Sequence, residues 1–219
     1  IAGADQNICL GDSAQLNATG ANNYIWSPSA GMNDPTIPNP LVFPPGTIEY
    51  FVTGTDTNGC FASDSVTVFV NQNPAATAYT VNTISCDGGN DGGVAVSVSS
   101  GTTPYSYLWN TGATSASLNG LSADTFNVTV TDVNGCWVES YNMLTEPAPI
   151  NVSAGSDTII NEGDTATLTA NASGGTGTFS YLWNNGNGNA ITSVNPLVTS
   201  SFTVTVTDAN NCTGTDSVI

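Results

Sequence analysis

An all-β chain in three tandem modules is the fold this sequence predicts, and three observations carry the prediction. The first is strand-period alternation: Phe202-Thr-Val-Thr-Val-Thr207 places its apolar residues on one face and its threonines on the other. The second is punctuation. Gly, Pro, Asn and Thr interrupt the chain every few residues, and no stretch sustains a helical period. The third is internal repetition. Tyr24-Ile-Trp26, Tyr107-Leu-Trp109 and Tyr181-Leu-Trp183 each precede a strand-like run that ends in an acidic turn, and those turns are Asp56-Thr-Asn-Gly-Cys60, Asp132-Val-Asn-Gly-Cys136 and Asp208-Ala-Asn-Asn-Cys212. Boundaries at 1–72, 73–148 and 149–219 follow, each module just large enough to bury a small core.

Each element has its own warrant. Asn-Gly after an alternating run is a hairpin signal, because both turn residues tolerate positive φ. A Trp in the middle strand of each module is read as the plug of an Ig-like β-sandwich core. The connections Asn71-Gln-Asn-Pro-Ala75 and Glu146-Pro-Ala-Pro149 are short and carry proline, which predicts semi-rigid linkers and an extended rod.

Cysteine spacing fits the modules. Cys9 and Cys60 flank the first Trp, Cys86 and Cys136 flank the second at nearly the same separation, and two intramodular disulfides are expected from these pairs. Asn161 takes the place of the first cysteine in the third module. Cys212 is therefore expected to be a free thiol or to bridge to another molecule. Disulfides of this kind belong to an oxidising, extracellular compartment.

Charge removes most function classes. The 219 residues include no Lys, Arg or His against 17 Asp and Glu, for a formal net charge of −17. General bases that titrate near neutrality, lysine nucleophiles and imidazole metal ligands are absent, so an enzyme is not expected. Nucleic acids and anionic membranes are recognised through the missing cations, and neither is expected as a partner. Isopeptide cross-links need lysine and are excluded. A paired-carboxylate glycosidase needs only acids, but small sandwiches on short linkers offer no deep cleft for one.

Three residue sets remain as candidate sites. Asp87, Asn90 and Asp91 offer oxygen ligands in a glycine-rich turn that suits calcium; local turn hydrogen bonds account for the same residues. Trp137 stands outside the repeated core position and is the candidate exposed aromatic for a sugar surface. Asn17, Asn127, Asn151, Asn171 and Asn211 fit the Asn-linked glycosylation pattern, which an Asn- and Thr-rich chain also produces by chance.

The second module carries a family resemblance. Ile84-Ser-Cys-Asp-Gly-Gly-Asn-Asp-Gly-Gly-Val94, Gly101-Thr-Thr-Pro-Tyr-Ser-Tyr-Leu-Trp-Asn-Thr-Gly112, Val128-Thr-Val-Thr-Asp-Val-Asn-Gly-Cys136 and Thr145-Glu-Pro147 resemble the SprB repeat of giant surface adhesins in gliding Bacteroidetes. The first and third modules resemble the PKD and Ig-like modules that accompany it, on Ala154-Gly-Ser-Asp157, Gly163-Asp164, the Tyr-x-Trp motif and Val-Thr-Val-Thr-Asp. The resemblance implies export by a type IX route and a structural or adhesive filament at the bacterial cell surface. Its partners would be neighbouring copies or modules of the same protein and surface polysaccharide. The same resemblance makes Ser13, Ser65, Thr158, Thr165 and Ser217 candidate O-glycosylation acceptors, each following an Asp and preceding an aliphatic residue. The alternative is a spacer or carbohydrate-binding accessory segment of a secreted polysaccharide-degrading enzyme. No leader or membrane span is legible, and reading from Ser217-Val-Ile219 into Ile1-Ala-Gly-Ala-Asp5 reproduces the pattern at Asn151–Asp157. The chain is therefore expected to be an internal piece of something longer, one period of a tandem array or a segment cut at an arbitrary point.

Overall fold

A computed structural model describes residues 1–219, and every regular element in it is a β-strand. The first third of the chain forms β1 (Gln6–Cys9), β2 (Ala14–Gln15), β3 (Asn23–Ser27), β4 (Leu41–Val42), β5 (Ile48–Thr55) and β6 (Phe61–Asn71). The middle forms β7 (Ala75–Asn82), β8 (Gly92–Ser99), β9 (Ser106–Trp109), β10 (Ser117–Leu121), β11 (Asp124–Thr131) and β12 (Trp137–Leu144). The last third forms β13 (Asn151–Ser153), β14 (Ala166–Thr169), β15 (Asn171–Ser173), β16 (Ser180–Trp183), β17 (Ile191–Val194), β18 (Phe202–Thr207) and β19 (Thr213–Val218). The all-β, Ig-like sandwich class expected from the sequence is what the chain adopts.

Two compact units result. Unit 1 comprises Ile1–Ala78, Val96–Ala116 and Asn127–Tyr141; unit 2 comprises Tyr79–Ala95, Ser117–Phe126 and Asn142–Ile219. Residues from the middle third contribute to both.

In unit 1, β5 pairs antiparallel with β3 and β6, and β1 adds to the other edge of β6 in parallel, from Gln6↔Val68 to Cys9↔Asn71. The two-residue alternation turns Tyr24 and Trp26, Tyr50 and Val52, and Val66 and Val68 to one side. There they meet Ala14 and Val42 of the β2–β4 pair, together with Leu16, in one cluster. A wholly buried side chain of this size contributes about 1.5–3 kcal/mol, which makes this cluster the main source of the sandwich's stability.

Unit 2 repeats the plan with β16–β18–β19 in one sheet and β14–β17 and β13–β15 as separate pairs. Its core gathers Leu168, Trp183, Val194, Val204, Val206 and Val218. All three tryptophans of the repeat are buried, and each indole N–H finds a carbonyl: Trp26 donates to Ile37 O at 3.1 Å, Trp109 to Ser115 O at 2.8 Å and Trp183 to Asn189 O at 3.0 Å. The core reading of these residues holds.

The cysteines pair differently from the sequence expectation. Cys9 bonds Cys136 and Cys86 bonds Cys212, with Cα–Cα distances of 5.5 and 5.7 Å, and Cys60 is the free, exposed thiol. Strand geometry explains the correction in unit 1. Cys9 lies beside Asn71, where β6 ends, whereas Cys60 immediately precedes Phe61, where β6 begins. An 11-residue strand separates the two by about 30 Å, far beyond the roughly 7 Å that a disulfide spans. Cys212, expected to lack an intramolecular partner, is bonded within unit 2.

Candidate functional site: aspartate turns and the outer face of β12

The three acidic turns share one construction. The Asp carboxylate Oδ1 accepts from the backbone N–H two and four residues on: from Asn58 and Cys60 at 2.8 and 2.9 Å for Asp56, from Asn134 and Cys136 at 2.9 and 3.0 Å for Asp132, and from Asn210 and Cys212 at 2.9 Å each for Asp208. A backbone bond from the Asp N–H to the Cys carbonyl closes each loop. This is why Asp, two residues before Asn and four before Cys, recurs: a short carboxylate satisfies turn donors that a strand would otherwise leave open.

What the second carboxylate oxygen does differs. Asp132 Oδ2 accepts from Thr102 N–H at 2.9 Å and Asp208 Oδ2 from Thr176 N–H at 2.8 Å, so both aspartates are buried and tie a glycine loop to the turn. The loop carbonyls reciprocate, Thr102 O accepting from Val133 and Thr176 O from Ala209. Glycine is required at one of these loops. Gly175 has a φ of +56°, and a Cβ there would lie 2.9 Å from Asp208 Oδ2 and from Ile150. Burial pushes the Asp208 carboxyl up, but the donors Thr176, Cys212 and Asn210 outweigh it and hold it below the ordinary aspartate value.

The bridged cysteines sit on these same turns. Next to the Cys86–Cys212 bond, Asn210 Nδ2 donates to Ser85 O at 3.0 Å, and Gly175 N–H donates to Ala148 O at 2.8 Å. A crevice of about 380 Å³ lies beside them, lined by Cys86, Asp87, Pro147, Pro149, Asp208 and Asn211 among others.

The calcium candidates Asp87, Asn90 and Asp91 lie in the connection between β7 and β8. Asp91 Oδ1 accepts from Ser85 N–H, whose side chain and backbone hold the Asp91 carboxyl low, and Gly88 N–H is taken by Glu146 Oε2 at 2.8 Å. No group of three Asp, Glu or Cys side chains comes together as a metal set. Of the glycan candidates, Ser13, Thr158, Thr165 and Ser217 are exposed and Ser65 is half-buried.

Trp137 lies on the outer face of β12, as its position outside the repeat suggested. Sequence reasoning missed its companion. Alternation places Tyr141 on the same face, four residues along, and both are open to solvent at 60% and 71%. The period of two along Trp137–Leu144 was the signal available.

Two stretches match the SprB repeat, residues 78–114 and residues 161–188. Over these two stretches the chain is similar to that repeat. The second match falls in the third module, which was expected to resemble PKD instead. Both matched stretches contain the Trp-Asn-x-Gly signature, and its structural meaning is a turn. Gly112 N–H returns to Trp109 O at 2.8 Å and Gly186 N–H to Trp183 O at 2.9 Å, while Asn110 and Asn184 N–H donate to Asn127 and Thr203 O at 2.9 Å.

No curated protein sequence matches the chain. Among solved structures, it is similar to an I-band fragment of titin at 12% identity and a TM-score of 0.42, over 98% of this chain and 94% of that one. It is similar to the N-terminal eight Ig domains of Down Syndrome Cell Adhesion Molecule at 11% identity and a TM-score of 0.38, over 98% of this chain. It spans 34% of that fragment's length. The human Desmocollin-1 ectodomain matches at 10% identity and a TM-score of 0.38, over 98% of this chain and 56% of that one. Similarity to the SprB repeat on an all-β chain supports a structural or adhesive extracellular module. The two disulfides point to an extracellular setting as well. No helix is long and apolar enough to cross a membrane.

Proposed function

We propose that this chain is a load-bearing segment of an exported filament or giant adhesin on a bacterial cell surface, joined to further modules or copies of the same kind. The observation that supports the reading is the interleaving of its two disulfide loops, Cys9–Cys136 and Cys86–Cys212. Tension applied between Ile1 and Ile219 follows the shortest covalent path: to Cys9, across to Cys136, back to Cys86, across to Cys212 and out. That path is roughly 65 residues, about a third of the full contour, so unfolding releases little length. Exposed Ser13, Thr158, Thr165 and Ser217 are available to carry O-glycans, which would hydrate an acidic surface that has no cationic side chain. Antibody labelling of the producing cells in electron microscopy tests the role. Labelled surface fibres, with loss of adhesion when the gene is deleted, are the expected result; label confined within the cell overturns it.

A second reading has its own observation. Trp137 and Tyr141, both exposed on one face of β12 and about 13 Å apart along the strand, form a row on which sugar rings can stack. Under this reading Trp137→Ala and Tyr141→Ala each abolish retardation of the protein in polysaccharide-containing gels. Unchanged mobility in both variants rules it out.

A further inference from the structure

Asp34–Pro35 is the one Asp–Pro bond in the 219 residues, and it lies in the connection between β3 and β4. Its nitrogen belongs to a tertiary amide without an N–H and leaves as a secondary amine once it is protonated. An aspartate before such a nitrogen can close a five-membered ring onto its own carbonyl carbon. The bond is reactive where the carboxylate stays ionised and is held against the peptide, and the surrounding residues meet both conditions.

Both sides of the bond are pinned. Asn33 N–H donates to Leu41 O at 3.0 Å, and Asn33 Oδ1 accepts from the N–H groups of Asp34 at 2.9 Å and Leu41 at 2.8 Å. Beyond the bond, Pro35 O accepts from the backbone N–H of Trp26 at 2.8 Å, and Ile37 O from its indole N–H at 3.1 Å. Trp26 is buried in the core, so the proline side is fixed to the sandwich itself. The carboxylate is held as well. Asp34 Oδ1 accepts from Thr36 N–H at 2.8 Å and from the Thr36 hydroxyl at 2.7 Å, a turn that carries the side chain over the Asp34–Pro35 peptide. Oδ1 takes both donors, and Oδ2 is the oxygen left to react. Thr36, through its hydroxyl first and its N–H second, holds the Asp34 carboxyl below the ordinary aspartate value. The carboxylate therefore persists as a nucleophile at pH values where a free aspartate is neutralised.

We propose that Asp34–Pro35 is a self-cleavage site. Asp34 Oδ2 attacks the Asp34 carbonyl carbon while the Pro35 nitrogen takes a proton from solvent; the C–N bond breaks, Pro35 leaves as a secondary amine, and a cyclic anhydride forms on Asp34. One water then opens the anhydride, so the products are a chain that ends at Asp34 in two carboxyl groups and a chain that begins at Pro35. Asp34 is the reacting group, and Thr36 is a positioning residue that acts through it. The Cys9–Cys136 disulfide joins the two products, since Cys9 lies before the cut and Cys136 after it. The covalent path from Ile1 to Cys9 and across to Cys136 does not pass through residue 34, so cleavage leaves Ile1 connected to the rest of the chain. The inference goes beyond the surface-filament reading and does not depend on it.

Mass spectrometry of the whole oxidised protein, incubated at about pH 4, tests it. The chain is expected to gain the mass of one water and, after reduction, to separate into fragments 1–34 and 35–219. A peptide with the sequence of Ser29–Pro40, which lacks the anchors on Trp26 and Leu41, sets the intrinsic reactivity of the bond, and the folded protein is expected to cleave about tenfold faster. Asp34→Asn, which keeps an oxygen for Thr36, is expected to abolish cleavage. Thr36→Val removes the hydroxyl at an exposed position and so keeps the fold. It is expected to move upward the pH at which the rate levels off, because the rate rises with acid only while the carboxylate is ionised. An uncut chain overturns the proposal, as does cleavage no faster than in the peptide, or a pH profile that Thr36→Val leaves in place.

Discussion

The turn at Asp56 and the turn at Asp208 begin from nearly the same five residues and end in different states. Both make the same two hydrogen bonds to Oδ1 and both close through the Cys carbonyl. At Asp208 a glycine loop delivers Thr176 N–H to the second oxygen, the carboxylate is buried, and the cysteine is bonded to Cys86. At Asp56 the corresponding loop closes on itself through Ala21 and the Tyr24 hydroxyl, the carboxylate is half-exposed, and Cys60 is free. The local motif therefore specifies the turn, while burial and bridging depend on what the rest of the fold brings to it. Asp132 sides with Asp208 on every count.

The largest way to test that contrast is mechanical. Pulled between its ends, the oxidised protein is expected to release about a third of the contour length it releases after reduction. Cys60→Ser is expected to leave both values unchanged, whereas Cys86→Ser lengthens the oxidised release and costs about 4–5 kcal/mol in denaturant unfolding. A Cys60→Ser protein with altered contour contradicts the pairing.

Removing the carboxylates should separate the turns next. Asp132→Ala strands the buried N–H of Cys136 and the part-buried N–H of Thr102 and is expected to cost about 2–4 kcal/mol by chemical denaturation, against about 1 kcal/mol for Asp56→Ala. Equal costs would mean that the glycine loop adds nothing.

Acid sharpens the comparison further. Backbone donors hold Asp208 low despite its burial; Asp64 is held low by Ser65 and Ala2, and Asp216 by Ala154 and Ser217. A carboxyl whose folded value is depressed stabilises the fold above its unfolded value and loses that contribution as pH falls through the folded one. Thermal midpoints are therefore expected to hold near pH 5 and to drop progressively below about pH 4. Asp208→Asn is expected to flatten that drop. The smallest effect is a single count: one thiol per native chain reacting with a maleimide, at Cys60 by peptide mapping.

The alternation in Phe202–Thr207, the buried tryptophans and the acidic turns were legible in the sequence because each is local, encoded within a few residues by strand period, side-chain size and turn chemistry. The same locality made Trp137 visible as the odd tryptophan, although its partner Tyr141 had to be read from the strand's face. Cysteine pairing was not legible, because β1 runs parallel to β6 and so carries Cys9 to the end of that strand remote from Cys60. Sequence separation says nothing about strand direction. The sequence by itself determined the all-β class, the three Trp-centred repeats and a surface with no cationic side chain. Only the tertiary structure decided which cysteines meet and which aspartates are buried, since these depend on distances set between strands far apart in the chain.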